Sequence, residues 1–333
     1  MMQRLGMLEN WLATQVGLTG FSIEAASGDA SFRRYFRVTL ADGSTRIAMD
    51  APPEKEDCRP FIRVAEKLER LGLNVPTVYA RDLEQGFLLL KDLGSTHYLD
   101  ALNTQSAERL YGDALGALVV IQACASEDGL PAYDEALLRQ EMALFPDWLL
   151  TRQLGLELFG DEVRMLEDVF ELLVANALEQ PQVCVHRDYH SRNLLVTPSP
   201  SPGIIDFQDA VYGPVTYDLV SLLRDCYISW PMAQVEAWAL GYFHLAKQSG
   251  VLRDQDEAHF LRWFDLMGVQ RQLKASGIFA RLNRRDGKPG YLKDIPRTLG
   301  YILDVAGKYP QLSGLAQLLG ERVMPRLAGY ASD

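Results

Sequence analysis

"VCVHRDYHSRNLLVTPSPSPGIIDFQDA", from Val183 to Ala210, interrupts short apolar runs with histidines, arginines, an asparagine and three aspartates. Nothing in a packed core asks for that mixture. Its first half contains "HRDYHSRN", with the spacing H-R-D-x-x-x-x-N that fixes Asp188 relative to Asn193. Its second half, "GIIDF", runs apolar up to Asp206 and continues with Phe207, the pattern of a strand that ends on a carboxylate.

Singly, each of these residues is also what a turn or a helix cap would use. In this order, each after an apolar β-like run, they supply the parts that phosphoryl transfer needs. Asp188 is then the carboxylate that receives the nucleophile's proton. Asn193 and Asp206 are oxygen ligands for one hard cation, Mg²⁺, whose other positions go to water and nucleotide phosphates. A phosphoryl donor is implied, and ATP is the expected one.

The 333 residues are 48% hydrophobic and 23% charged, ordinary for a soluble globular chain of about two domains. A formal net charge of −11 disfavours broad attraction to nucleic acid or anionic lipid, so neither is an expected partner and small-molecule chemistry is. Cys58, Cys124, Cys184 and Cys226 are scattered without a C-x-x-C pair and read as reduced thiols. Glu9, Asn10 and Gln15 break up the opening segment, and no apolar run reaches the ~20 residues of a bilayer span, so a cytoplasmic protein is expected.

Helical spacing over residues 1–18 gives way, from Phe21 to about Ala51, to alternating runs. "RRYFRVTL" and "TRIAMDA" read as strands joined at Asp42-Gly43, a hairpin signal. "CRPFIRVAEKLERLG" reads as an amphipathic helix, followed by strands in "VPTVYARD" and "QGFLLLKDLG". Beyond Gly94 helical patterns dominate, roughly 104–126, 134–154, 161–179, 216–228, 232–249 and 256–282. The expected organisation is α+β: a small β-rich lobe, residues 1–93, and a larger, mostly helical lobe, residues 94–333.

On these residues the chain resembles the aminoglycoside phosphotransferases and related small-molecule kinases, a family with the protein-kinase-like bilobal fold. More narrowly, "GDASFRRYFRV", "MDAPPEKED", "HRDYHSRNLL" and "IDFQDAVYGPVTYDLVSLLRDCY" resemble the cell-wall amino-sugar kinases that phosphorylate the anomeric hydroxyl of N-acetylmuramate and N-acetylglucosamine. The resemblance implies an ATP- and Mg²⁺-dependent bacterial enzyme of peptidoglycan recycling, acting on a small sugar; a monomer is the simplest expectation, and the sequence does not fix the oligomeric state. An aminoglycoside O-phosphotransferase, a choline- or homoserine-type kinase and a non-catalytic nucleotide-binding regulator are the competing readings.

The nucleotide should lie under "ASGDASFRRYFRV", where Gly28, Asp29 and Ser31 form the phosphate-covering turn. The resemblance makes "GFLLLKDLG" the adenine edge, with Leu90 lining the slot and the main chain around Lys91 and Leu93 hydrogen-bonding the base. One departure stands out: where kinases carry V-A-I-K this chain reads "IAMD", so Asp50 occupies the lysine position and would repel a triphosphate. Either another cation compensates or the site is degenerate. Arg33 and Arg34 are the nearest cations, and strand alternation lets only one face the nucleotide; Arg34, sharing parity with Phe36 and Val38, is the expected one.

Acceptor contacts are expected just beyond the catalytic loop, from His190, Gln208, Asp209, Arg224, Asp225 and Arg271. Asp218, on the same predicted helix as Arg224 and Asp225, is expected to tie that helix to the loop. N-acetylmuramate carries a lactyl carboxylate and needs a nearby cation. Arg271 and Lys274, three apart, could face the cleft together, and a solvated helix face explains them as well.

Overall fold

Alternation near the N-terminus does become a sheet. In the computed structural model, which describes residues 2–28 and 32–330, α1 (Met2–Thr14) precedes β1 (Ser22–Gly28), β2 (Arg34–Thr39), β3 (Thr45–Asp50), α2 (Cys58–Arg70), β4 (Val78–Asp82) and β5 (Phe87–Lys91). The strands pair antiparallel in the order β1-β2-β3-β5-β4. Asp42 and Gly43 close the β2–β3 hairpin: Gly43 has φ +81°, and Asp42 Oδ1 accepts the Ser44 N–H at 2.8 Å.

α1 decides which sheet face is which. Leu8, Trp11 and Leu12 pack on Val38, Ala48, Phe87 and Leu89. The register sets Phe36 opposite Ala48, Arg34 opposite Asp50 and Asp50 opposite Phe87, so Arg34 and Asp50 belong to this α1-covered face. Asp50, fully buried there, accepts from Arg4 Nη2 of α1 at 2.6 Å and from Arg34 Nε at 3.1 Å.

Two expectations are corrected here. Asp50 does not stand bare where a lysine was expected; two guanidiniums neutralise it on the α1 side of the sheet. Arg34 has the expected parity but the opposite consequence, because Phe36 and Val38 face α1 rather than a ligand. Arg33 turns the other way: 8% exposed, it lies 3.9 Å from Asp206 and 4.0 Å from Glu56.

After β5 come α3 (Tyr98–Ala101), α4 (Ala107–Cys124), α5 (Glu135–Met142), a π-helical stretch (Phe145–Gln153), α6 (Gly160–Leu178), β6 (Gln182–Val185), β7 (Leu194–Leu195), β8 (Gly203–Ile204), β9 (Val211–Pro214), α7 (Tyr217–Leu223), α8 (Met232–Gln248), α9 (Glu257–Asp286), α10 (Ile295–Ala306), α11 (Ser313–Leu318) and α12 (Met324–Leu327). The helix expected over 134–154 is broken because Pro146 has no N–H to give an α-helical ladder. The one expected over 216–228 stops at Leu223. Residues 295–327, unassigned from periodicity, add three further helices.

The chain divides into two compact units, residues 1–117 with 192–209, and residues 118–191 with 210–333. The first thus takes in α3, much of α4 and the β7–β8 hairpin besides residues 1–93. That hairpin is held by Asn74, whose carbonyl accepts the Ile204 N–H at 2.8 Å, and by Thr96, whose carbonyl accepts the Val196 N–H at 2.8 Å. In the second unit α9 packs against α5, α6, α7, α8, α10 and the π-helical stretch. Gly277 is what lets α9 approach: a Cβ there would lie 2.4 Å from the main-chain carbon of Leu144. The cysteines are free, and no described helix is long and apolar enough to cross a membrane.

The Asp50 cluster is a stability device with a measurable coupling. Arg34→Ala leaves a fully buried carboxylate with one guanidinium and should cost about 1–3 kcal/mol in urea unfolding. Asp50→Ala should cost a similar amount, and the double variant clearly less than the sum, by about 1 kcal/mol or more. Strictly additive losses would show that the pair contributes nothing.

Candidate active site

Consider first the residues gathered in the first unit. Asp206 follows β8 with φ +64°, a left-handed conformation that a non-glycine residue holds only at a cost of about 1–3 kcal/mol. In this conformation its carboxylate meets Asn193, whose Nδ2 is 3.3 Å from Oδ2, and Gln208, whose Nε2 donates to Oδ1 at 3.0 Å. The Asn193 carbonyl accepts the Ile205 N–H at 3.1 Å, which fixes the two segments to each other. Amide and carboxylate oxygens are hard donors, and these two heads lie side by side, so the pair fits Mg²⁺ with the remaining positions left to water and phosphate. Arg33 brings a guanidinium to the same carboxylate.

The other nucleotide-side expectations fare unevenly. Asp29 and Ser31 lie outside the described residues; Gly28 ends β1, paired with Arg34. Leu90 is buried on β5, opposite Ile47 on the face away from α1. At Lys91 the N–H is donated to Thr77 O at 2.9 Å and the ammonium to Asn74 at 3.0 Å, so neither of these groups serves a base. Leu93 is buried and would touch a Cβ on Gly203. Gln208 and Asp209 stay beside Asp206, with Gln208 Nε2 also 3.4 Å from the Asp209 carboxylate.

In the second unit the catalytic loop hangs on two buried carboxylates. Arg187 takes φ +76°, and an irregular loop of this kind needs acceptors for its N–H groups. Asp218, fully buried on α7, accepts the N–H of His186 at 2.6 Å and of Arg187 at 3.0 Å. Asp225 accepts the N–H of Ser191 at 2.9 Å and of Tyr227 at 2.9 Å. Asp218 thus ties α7 to the loop, as expected. Asp225 is corrected from sugar ligand to loop anchor, which is possible because α7 ends before it.

Arg224 is corrected too. Only 2% exposed, it pairs with Asp265 of α9 and lies over the Phe264 ring at 4.5 Å. Its partner is 41 residues away, so local spacing gave no hint of it.

Around Asp188 the charges are unequal. Glu141 of α5, a buried carboxylate, accepts from Arg187 and Tyr133 and pairs with Lys274 at 3.0 Å; Lys274 also donates to Tyr217 at 2.7 Å. Burial pushes the Asp188 carboxyl up, but Lys274, His190, Arg271 and His186 together hold it below the usual carboxylate range, so it is ionised at neutral pH. Burial also lowers the His190 imidazole, which favours its neutral form. Glu141 went unnoticed in the sequence. Its signal was a glutamate three residues from Leu138, on the buried stripe of α5.

A small antiparallel sheet followed by a mostly helical remainder is an α+β fold of the protein-kinase-like class. The chain belongs to the phosphotransferase enzyme family, whose profile matches residues 22–261. It is similar to an N-acetylmuramate/N-acetylglucosamine kinase of Pseudomonas putida, at 47% identity over 96% of both chains. The enzyme of the same name from Pseudomonas aeruginosa is 51% identical, over 88% of this chain and 86% of the relative. In fold it is similar to a choline kinase of Streptococcus pneumoniae, with a TM-score of 0.61 at 13% identity, covering 92% of this chain and 99% of the other. An ADP-bound aminoglycoside phosphotransferase gives a TM-score of 0.56 at 16% identity, covering 89% and 97%.

Asp218 supplies a pH test. Burial pushes its carboxyl up to about 6, so as pH falls from 7 the folded protein takes up this proton before the unfolded chain does. Stability from this group therefore grows with falling pH. Urea midpoints should show the parent gaining on Asp218→Asn by about 2 kcal/mol between pH 7 and 4.5. A difference independent of pH would mean that Asp218 titrates normally.

Proposed function

We propose that the protein is an ATP-dependent kinase that phosphorylates the anomeric hydroxyl of N-acetylmuramate and N-acetylglucosamine. What carries this reading is the identity of 47% over 96% of both chains with a relative bearing that name, together with the ordered set Asp188, Asn193 and Asp206. In a bacterium such a product would feed peptidoglycan recycling, in the cytoplasm. Residues 1–93 would serve as the nucleotide-covering lobe and residues 94–333 as the lobe of the catalytic loop and acceptor.

The chemistry asks little covalent work of the protein. Asp188, ionised, accepts the proton of the sugar hydroxyl as its oxygen bonds to the γ-phosphorus and the bond to the ADP oxygen breaks. Asn193 and Asp206 would hold Mg²⁺, which when bound neutralises charge on the phosphates. Arg33 takes the role first expected of Arg34: its planar fork can bind phosphate oxygens, and it faces Asp206 rather than Asp50. Gly28, Asp29, Ser31, Leu90 and Leu93 complete the proposed nucleotide side, and His190, Gln208 and Asp209 the acceptor side.

Incubation with ATP, Mg²⁺ and a panel of N-acetylmuramate, N-acetylglucosamine, kanamycin, choline and homoserine, read by phosphorus NMR, tests the acceptor class. Sugar 1-phosphates are the expected products; phosphorylated kanamycin alone would make it an aminoglycoside enzyme. Asp188→Asn should lower kcat by about 10²–10⁴-fold with the ATP KM nearly unchanged. A variant retaining a third of the parent rate would take Asp188 out of the mechanism. Arg33→Ala should raise the ATP KM or lower kcat roughly 10- to 100-fold, whereas Arg34→Ala should act on stability instead. Equal kinetic effects of the two would contradict the faces assigned to them.

A further inference from the structure

The buried and half-buried cations of the second unit are not equivalent. Arg187 and Lys274 are committed to Glu141, and Lys274 also to the Tyr217 hydroxyl. Arg224 is committed to Asp265. Arg271, on the same face of α9 as Lys274, is 5% exposed, yet among the described residues no carboxylate lies within ion-pair distance of it. Among the described residues its side chain makes one weak hydrogen bond, from Nη1 to the Cys226 sulfur at 3.7 Å, and its buried Nε has no partner.

A guanidinium cannot shed its charge by losing a proton, so burying it without a counter-anion is costly. The nearby acids do not remove that cost. Asp225 is occupied by the N–H groups of Ser191 and Tyr227. Asp188 is close enough for its charge to act on Arg271, but the two are not paired.

A second orphan stands beside it. His190 Nδ1 is buried without a partner, and the His190 ring meets Tyr227 edge-on at 5.5 Å; Tyr227 directly follows Cys226, the residue Arg271 touches. Phe279 of α9 continues this aromatic strip, 6.1 Å from Tyr227. A buried cation lacking an anion, a buried imidazole nitrogen lacking a hydrogen-bond partner and an aromatic edge, near an ionised aspartate, suit an acceptor that carries ring hydroxyls, an apolar ring face and one carboxylate.

We infer that Arg271 is the specificity-determining residue that takes the carboxylate arm of an acidic amino sugar. The inference rests on the acceptor reading above and deepens it: N-acetylmuramate carries such an arm and N-acetylglucosamine does not. The planar fork can hold both carboxylate oxygens at once, which a lysine at this position could not do.

The test is direct competition. Equimolar N-acetylmuramate and N-acetylglucosamine are incubated with ATP, Mg²⁺ and the parent, Arg271→Met or Arg271→Lys protein, and the ratio of the two sugar phosphates is read by NMR. Because both sugars meet the same active molecules, the ratio is independent of how much of a variant is folded. Arg271→Met should shift the ratio against N-acetylmuramate by about 10- to 100-fold, the worth of a charge-assisted hydrogen bond. Arg271→Lys should shift it in the same direction by less, and it decides the matter if the methionine variant does not fold. An unchanged ratio, at whatever overall rate, overturns the inference, as does a rise in the ATP KM without a shift in ratio. A parent protein that phosphorylates neither sugar overturns the acceptor reading itself, a result distinct from a parent that uses both and a variant that does not discriminate.

Discussion

Main-chain N–H groups in an irregular buried loop must find acceptors, and at His186 and Arg187 the acceptor is the carboxylate of Asp218. That pair of bonds holds the turn on which Asp188, the proposed proton acceptor, sits. Arg187 takes a left-handed φ of +76°, which an arginine would not hold unaided, and the turn it makes puts Asp188 next in line. Asp225 repeats the device at Ser191, so acceptors from beyond β9 grip the loop on either side of Asp188. The loop's geometry is therefore paid for by two carboxylates that do no chemistry.

The charges around the loop follow a similar division of labour. Glu141 supplies the counter-charge for Arg187 and Lys274, two cations of the second unit. Lys274 still acts on Asp188 from a distance, which helps keep that carboxyl ionised although burial opposes it. Neutralising the other cations in this way is what leaves Arg271 as a buried charge with a vacancy in its bonding. Specificity and catalysis would then draw on one set of charges, with the partner of each deciding its role.

In the first unit the same logic separates two neighbouring arginines. Arg34 and Arg4 share the buried Asp50, so the acid at the position where a lysine was expected stabilises the sheet and α1. Arg33, one residue earlier, faces Asp206 instead. A single step along an extended chain thus moves a guanidinium from a structural cluster to the proposed phosphate site.

Much of this protein is legible in the sequence because it is local. The order of Asp188, Asn193 and Asp206, the hairpin at Asp42-Gly43, the amphipathic stripe of α2 and the strand alternation depend on spacing along the chain, and spacing is what periodicity reads. Motif spacing likewise carried the phosphotransferase class. What only the tertiary structure decided is which face, and which partner. Alternation says that Arg33 and Arg34 point apart, but not that α1 covers the Arg34 side; that is settled by Leu8, Trp11 and Leu12, far from either arginine. Helical pattern cannot show that α7 ends at Leu223 and frees Asp225 to reach Ser191, nor that Arg224 is consumed by Asp265. Charge pairing between distant residues has no period, so the partners of Asp50, Glu141 and Arg224, and the want of a carboxylate beside Arg271 among the described residues, could emerge only once the chain was folded.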